Sequence, residues 1–149
     1  MIKEISCGVV MFRREGRKRK YLLLHYAAGH WEFVKGNVEK GEDEKQTVVR
    51  ETKEETGIND LTFVQDFKQV IHFFYRKDKN LISKQVTFYL AETKTEKVTL
   101  SFEHIGFEWL VYSKAIERLN FKNSKDVLKN AEELLNKSSE QASLSIFSK

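Results

Sequence analysis

Two apolar runs open the chain. Residues 5–12, ISCGVVMF, and 20–27, KYLLLHYA, are rich in β-branched or aromatic side chains, which predicts two strands. The octet between them, RREGRKRK (13–20), holds six Lys or Arg and is expected as a solvated hairpin loop; a phosphate-steering or RNA-contacting loop is the lesser reading. HWEFVKG (30–36) predicts a short strand. Residues 44–56 contain neither Gly nor Pro and predict a helix. Asp43 suits its N-cap, Gln46 completes a capping box, and Gly57 suits a left-handed C-terminal cap. Strand-like runs follow at 61–75 and 84–92, separated by a polar loop RKDKNLIS (76–83), and again at 107–112. SKAIERL (113–119) and SKDVLKNAEELL (124–135) are amphipathic helix candidates, and the polar tail from Asn136 is expected to fray in part, from about 138. Strands interleave with mostly late helices. That pattern predicts one α/β (α+β) domain over 1–149, a mixed β-sheet sandwiched between α-helices.

Composition narrows the function classes. A chain of 149 residues that is 40% hydrophobic can bury one real core. It has no apolar run of about 18 residues, which excludes a helical membrane span. The N-terminus reads as a first strand rather than a signal peptide. The lone Cys7 has no internal disulfide partner, which fits a reducing cytoplasm, and its place on the first strand favours a small core residue over a nucleophile. The formal net charge of +4 favours anionic partners.

Against that positive balance stands one dense acidic segment, Gly36 to Ile58, with Glu39, Glu42, Asp43, Glu44, Glu51, Glu54 and Glu55. On a helix, Glu51, Glu54 and Glu55 share a face and repel one another. A solvated Glu/Lys face, with Lys45 and Lys53 as partners, is the ordinary explanation of such a cluster. A hard divalent cation is the functional one, because Mg²⁺ favours carboxylate oxygens and keeps waters for a phosphate substrate.

The spacing decides between them. Gly36, five residues, Glu42, seven residues, Arg50-Glu51, two residues, Glu54-Glu55, one residue, Gly57-Ile58 resembles the Nudix box of hydrolases that cleave nucleoside diphosphates linked to another group. Thr52 departs from it, standing where the family has an aliphatic, core-facing residue. The resemblance implies Mg²⁺, with Mn²⁺ as a substitute, held by Glu51, Glu54, Glu55 and the Gly36 carbonyl, while Glu42 and Arg50 are structural. The flanks HWEFVKGNVEKGED (30–43), FKQVIHFFY (67–75), KQVTFYLAE (84–92) and LSFEHIGFEWL (100–110) resemble asymmetric diadenosine tetraphosphate hydrolases of the animal and archaeal type. This chain lacks that group's prolines near the box and has two extra residues after Tyr75. On that resemblance His30, Lys35 and Lys84 contact the phosphate chain, and Glu103 assists metal binding or water activation. Tyr75 stacks on adenine, with Phe121 as the other face of the clamp. The implied reaction is attack of water on phosphorus to give ATP and AMP, with Glu51 and Glu103 both open as the base. Taken singly, each of these flank residues has a plain structural explanation; their joint match lifts them. Hydrolysis of an RNA 5′ end, hydrolysis of a nucleoside triphosphate, and a non-catalytic nucleotide-binding domain are the alternatives. The expected partner is a small nucleotide polyphosphate, with no membrane, and the expected state is a monomer or weak dimer. His25, His72 and His104 have no metal-site spacing and are expected to be structural or solvent-facing.

Overall fold

The computed structural model describes the backbone of residues 1–147 and the side chains of residues 1–139. Its elements run β1 (Ile2–Glu15), β2 (Lys18–Tyr26), β3 (Trp31–Glu32), β4 (Val34–Asn37), α1 (Glu44–Thr56), β5 (Thr62–Phe63), β6 (Gln69–Lys77), β7 (Asn80–Glu92), β8 (His104–Val111), α2 (Tyr112–Arg118) and α3 (Lys122–Phe147).

All the strands join one mixed sheet. At its centre β1 and β7 lie parallel, in register from Ile2↔Ile82 to Phe12↔Glu92. A strand buried on both faces reads as a continuous apolar run, which is why VVMF in β1 carries no polar alternation. Successive side chains of β1 point to opposite faces. Val10 and Phe12 join Tyr21, Leu23 and Phe88 under α2 and α3, where Ala115, Leu119, Val127, Leu128 and Ala131 close the core. Cys7, Val9 and Met11 point the other way, to Leu22, Leu24, Val34 and to Val48 of α1. The sheet is therefore sandwiched between α1 on one face and α2 with α3 on the other, the architecture expected from the sequence.

Helix α1 spans the predicted residues. The Asp43 side chain accepts from the Gln46 backbone N–H at 2.8 Å, and Gln46 Oε1 accepts from the Asp43 N–H at 2.8 Å. Gly57 ends the helix at φ 77°, a conformation that glycine adopts without a Cβ penalty. Thr52 is fully buried, and its Oγ1 has no hydrogen-bond partner.

Three expectations need correction. The basic octet is not a long loop: β1 and β2 pair through Glu15↔Lys18, so only Gly16 and Arg17 turn. Four of its six cations meet a carboxylate, Arg13 and Lys20 sharing Glu15 at 2.5 and 3.2 Å, Arg19 meeting Glu132 at 2.8 Å and Arg14 meeting Glu92 at 3.4 Å, while Arg17 and Lys18 are exposed. The polar stretch 76–83 is likewise mostly strand, because β6 and β7 pair through Lys77↔Asn80 around a two-residue turn. Asp78 and Lys79 both take positive φ, 51° and 69°, whose twist matches that of the paired strands. The run 61–75 is in turn two strands, broken where Asp66 enters the left-handed region at φ 68°. The described backbone of the tail from Asn136 is helical as far as Phe147; Ser148 and Lys149 lie outside the described residues.

Candidate active site

The acidic segment folds so that the end of β4, the loop after it and α1 face one another. Gly36 on β4 lies against Glu51 of α1; a Cβ there would stand 2.0 Å from the Glu51 Cδ. Only glycine allows this approach. Arg50 then ties loop to helix. Its Nε and Nη2 donate to Glu42 at 2.6 and 3.1 Å, and Nη2 also donates to the Asn37 carbonyl at 3.0 Å. This pairing holds the Glu42 carboxyl down to about 2, with the Arg50 hydrogen bonds as the leading cause. Arg50 Nη1 reaches on to Glu51 Oε1 at 2.8 Å and Glu54 Oε2 at 3.1 Å.

A cleft of about 660 Å³ opens over this floor. Glu51, Glu54, Glu55 and Glu103 line it together with Gly36, Lys35 and Lys84. The predicted carboxylates and the two predicted phosphate-binding lysines thus share one cavity, although they come from four separate segments of chain. Glu103 arrives on a tight turn, closed by a hydrogen bond from the His104 N–H to the Ser101 carbonyl at 3.3 Å and pinned by the Ala27 N–H donating to the Glu103 carbonyl at 3.2 Å.

Beside the cleft lies a second cavity of about 470 Å³, lined by Ile71, Phe73, Tyr75, Phe121 and Ser124. Lys35 lines both cavities. Tyr75 and Phe121 therefore sit in one pocket, and Phe73 joins them there. The Tyr75 hydroxyl donates to the Glu4 carboxylate, which also lies 3.7 Å from Lys84 Nζ. Desolvation lowers the Lys84 pKa, with the Glu4 charge opposing it. Glu32, almost fully buried, accepts from Ser124 Oγ at 2.6 Å and lies 3.8 Å from Lys35 Nζ. His30 stands a step back: its ring stacks on Tyr26 at 4.8 Å and lies 5.5 Å from Phe121.

Sequence reasoning singled out neither Glu4, Glu32, Phe73 nor Tyr26. Glu4 and Glu32 sit in strands where a lone acid usually faces water. Period-two alternation that puts Phe73 and Tyr75 on the same face of β6 was the available signal for Phe73. The remaining histidines are structural or solvent-facing: His25 stacks on Trp31 at 4.5 Å, His104 packs edge-on to Tyr26 at 4.4 Å, and His72 is exposed, 2.7 Å from Ser83 Oγ. Cys7 is a core residue whose thiol is pushed up to about 12, chiefly by burial.

Among the described residues, no group of three or more His, Cys, Asp or Glu side chains is arranged to hold a metal ion; Glu51 and Glu54 instead turn to Arg50. The donor set nevertheless fits a hard divalent cation. Glu55 is only 4% exposed, and its Oε2 has no hydrogen-bond partner. Burial, followed by the neighbouring Glu51 and Glu103 charges, pushes the Glu55 carboxyl up to about 9. Glu51 is also raised, by desolvation first. A site that holds carboxyls against ionisation is electrostatically short of positive charge, and their oxygens are the ligands that Mg²⁺ or Mn²⁺ prefers.

Residues 3–131 match the NUDIX domain family. The chain is 33% identical over 142 residues to the asymmetrical bis(5′-nucleosyl)-tetraphosphatase of Mus musculus, an alignment covering 87% of this chain and 94% of the mouse protein. The Sus scrofa counterpart is 35% identical over 143 residues, with the same coverage. Among solved structures, a C. elegans Ap4A hydrolase binary complex superposes with a TM-score of 0.80 at 31% identity, covering 89% of this chain and 98% of that one. The box, the sandwich and these relatives agree: the chain belongs to the NUDIX family, as a homologue of the asymmetrical bis(5′-nucleosyl)-tetraphosphatases.

Proposed function

We propose that the protein is a Mg²⁺-dependent hydrolase of dinucleoside polyphosphates, splitting diadenosine tetraphosphate into ATP and AMP. The observation that carries this reading is the pair of adjoining cavities: an aromatic pocket with room for a base and a carboxylate-and-lysine cleft, joined at Lys35. A base between Tyr75 and Phe121 fixes one end of the substrate by stacking. Lys35 and Lys84 then receive the phosphate chain as compact point charges. Glu32 and Glu4 hold these lysines in place, each close enough to orient the ammonium and too far to consume all its donors.

Glu51, Glu54 and Glu55, with the Gly36 carbonyl, would hold the cation. When bound, it supplies charge neutralisation and water activation. To serve as a ligand Glu55 would have to give up the proton that burial makes it hold, which would couple loading to pH. Of the two candidate bases, Glu51 accepts a hydrogen bond from Arg50, whereas the Glu103 side chain is exposed and has no partner among the described residues. Glu103 is thus the freer group to take a proton from water. Attack on phosphorus is then a matter of positioning and electrostatic stabilisation.

Nothing in the geometry favours an RNA 5′ end. Ser6 lines the cleft, while the basic hairpin begins at Arg13 on the same strand, roughly 20 Å away at about 3.3 Å per residue. The lone Cys7, buried and held as the unreactive thiol, suits the reducing cytoplasm we assign to the protein.

Tyr75→Ala tests the base pocket. We expect KM for diadenosine tetraphosphate to rise about tenfold, at the lower end of base-stacking strengths, with kcat little changed. A loss confined to kcat would contradict base stacking at this position.

A further inference from the structure

Phe102 is 94% exposed, the most exposed large apolar side chain among the described residues. A single exposed aromatic is common on protein surfaces and by itself carries no meaning. Two features set this one apart. It lines the carboxylate cleft. It is also one of the two central residues of the turn Ser101–His104, whose other central residue is Glu103. That turn is fixed at several points. The His104 N–H donates to the Ser101 carbonyl at 3.3 Å, and Ser101 Oγ lies 3.3 Å from His104 Nδ1. The His104 ring packs edge-on against Tyr26 at 4.4 Å, and the Ala27 N–H donates to the Glu103 carbonyl. The aromatic ring is therefore displayed to water on a pinned backbone at the mouth of the cleft.

We infer that Phe102 is a second stacking station, which receives the other nucleoside base of a two-base polyphosphate substrate. This inference rests on the function proposed above and adds to it the site of the distal base. The two aromatic stations lie in different cavities: Tyr75 and Phe121 in the apolar pocket, Phe102 in the cleft, with Lys35 shared between the cavities and Lys84 within the cleft. A molecule with a base at each end and a phosphate chain between them matches that layout; a mononucleotide fills only one station. Phe102 is an open platform with one ring, so it tolerates any base and adds selectivity for two-base substrates over one-base substrates. Stacking on such a platform depends on the π-face and not on hydrogen-bond readout. The enclosed apolar pocket, with more surface to bury, takes the sole base of a one-base compound.

The test compares diadenosine tetraphosphate with adenosine 5′-tetraphosphate, which has the same phosphate count and one base. Steady-state kinetics with Mg²⁺ are measured for wild type, Phe102→Ala and Phe102→Trp. The expected result is about a tenfold loss in the ratio of kcat/KM for the two-base over the one-base compound in Phe102→Ala, carried by KM, and recovery of that ratio in Phe102→Trp. A ratio unchanged in Phe102→Ala overturns the inference, as does an equal loss on both compounds, which would mean that Phe102 acts through Glu103 or the phosphates. Wild-type protein that cleaves neither compound would overturn the proposed function itself and this inference with it. Thermal unfolding of the variants, matching wild type for so exposed a side chain, separates a binding effect from a folding one.

Discussion

Replacing Glu55 by Gln exchanges a buried carboxyl for a neutral side chain of nearly the same shape, and its effect on stability can be worked from the site. In the folded, metal-free protein the Glu55 carboxyl titrates near 9 instead of its ordinary 4.5. The unfolded chain therefore releases this proton at lower pH than the folded one. The cost to folding is absent below about pH 4.5, grows as pH rises, and levels off above about 9. At about 1.4 kcal/mol per pH unit, the upper bound is roughly 1 kcal/mol at pH 5 and roughly 4 to 5 kcal/mol at pH 8. The glutamine amide has its own burial cost, but that cost does not change with pH. The readout is accordingly the difference in Tm between Glu55→Gln and wild type in EDTA at pH 5 and at pH 8. Even a quarter of the upper bound, about 1 kcal/mol, moves Tm by about 2–4 °C in a domain of this size. We expect the variant to gain on wild type by at least that much between the two pH values, while its kcat falls on the order of 10²- to 10³-fold. A gap in Tm that stays flat from pH 5 to pH 8 would refute the buried, proton-holding carboxyl. Unchanged turnover would refute its place in the metal site.

Two other substitutions probe the same frame. Gly36→Ala places a methyl group 2.0 Å from the Glu51 Cδ, so Glu51 must move; we expect kcat/KM to fall on the order of 10²-fold with secondary structure intact by circular dichroism, and activity near wild type would contradict the close approach. Thr52→Val removes a buried hydroxyl that has no partner and keeps the side-chain shape, so we expect urea unfolding to show about 1 kcal/mol of added stability, and a loss of stability would mean that Thr52 Oγ1 is satisfied in solution.

Local rules made some parts of this protein legible in the sequence. Helix α1 was readable to its ends because Asp43, Gln46 and Gly57 act within a few residues of one another. The box carboxylates and Arg50 were readable because their spacing is fixed along one segment. The hairpins were less so. The turn at Asp78 and Lys79 uses no glycine, and charge in 13–20 looked like loop when it was the paired ends of β1 and β2, with ion pairs supplied by Glu15 and Glu132. Thr52 was legible as a departure, and its consequence, an orphaned hydroxyl, only appeared once the helix face was known to be buried. Glu4 and Glu32 were invisible because their partners, Tyr75 and Ser124, are distant in sequence and meet them only through the sheet and α3. Lys35, Lys84 and Tyr75 were reached through resemblance to relatives; their own neighbourhoods in the sequence do not distinguish them from ordinary strand residues.

The central claim is that this cleft hydrolyses a two-base polyphosphate, and a substrate panel tests it most directly. Purified protein with Mg²⁺ is incubated with diadenosine tetraphosphate, diadenosine triphosphate, GTP, ADP-ribose and a 5′-triphosphorylated RNA, and the products are resolved by anion exchange. The account predicts ATP and AMP from diadenosine tetraphosphate, at a kcat/KM far above that of every other compound, and no turnover in EDTA. Pyrophosphate released chiefly from the RNA would contradict it: the carboxylate site would stand, and the assignment of Tyr75, Phe121 and Lys84 to a dinucleotide would fall.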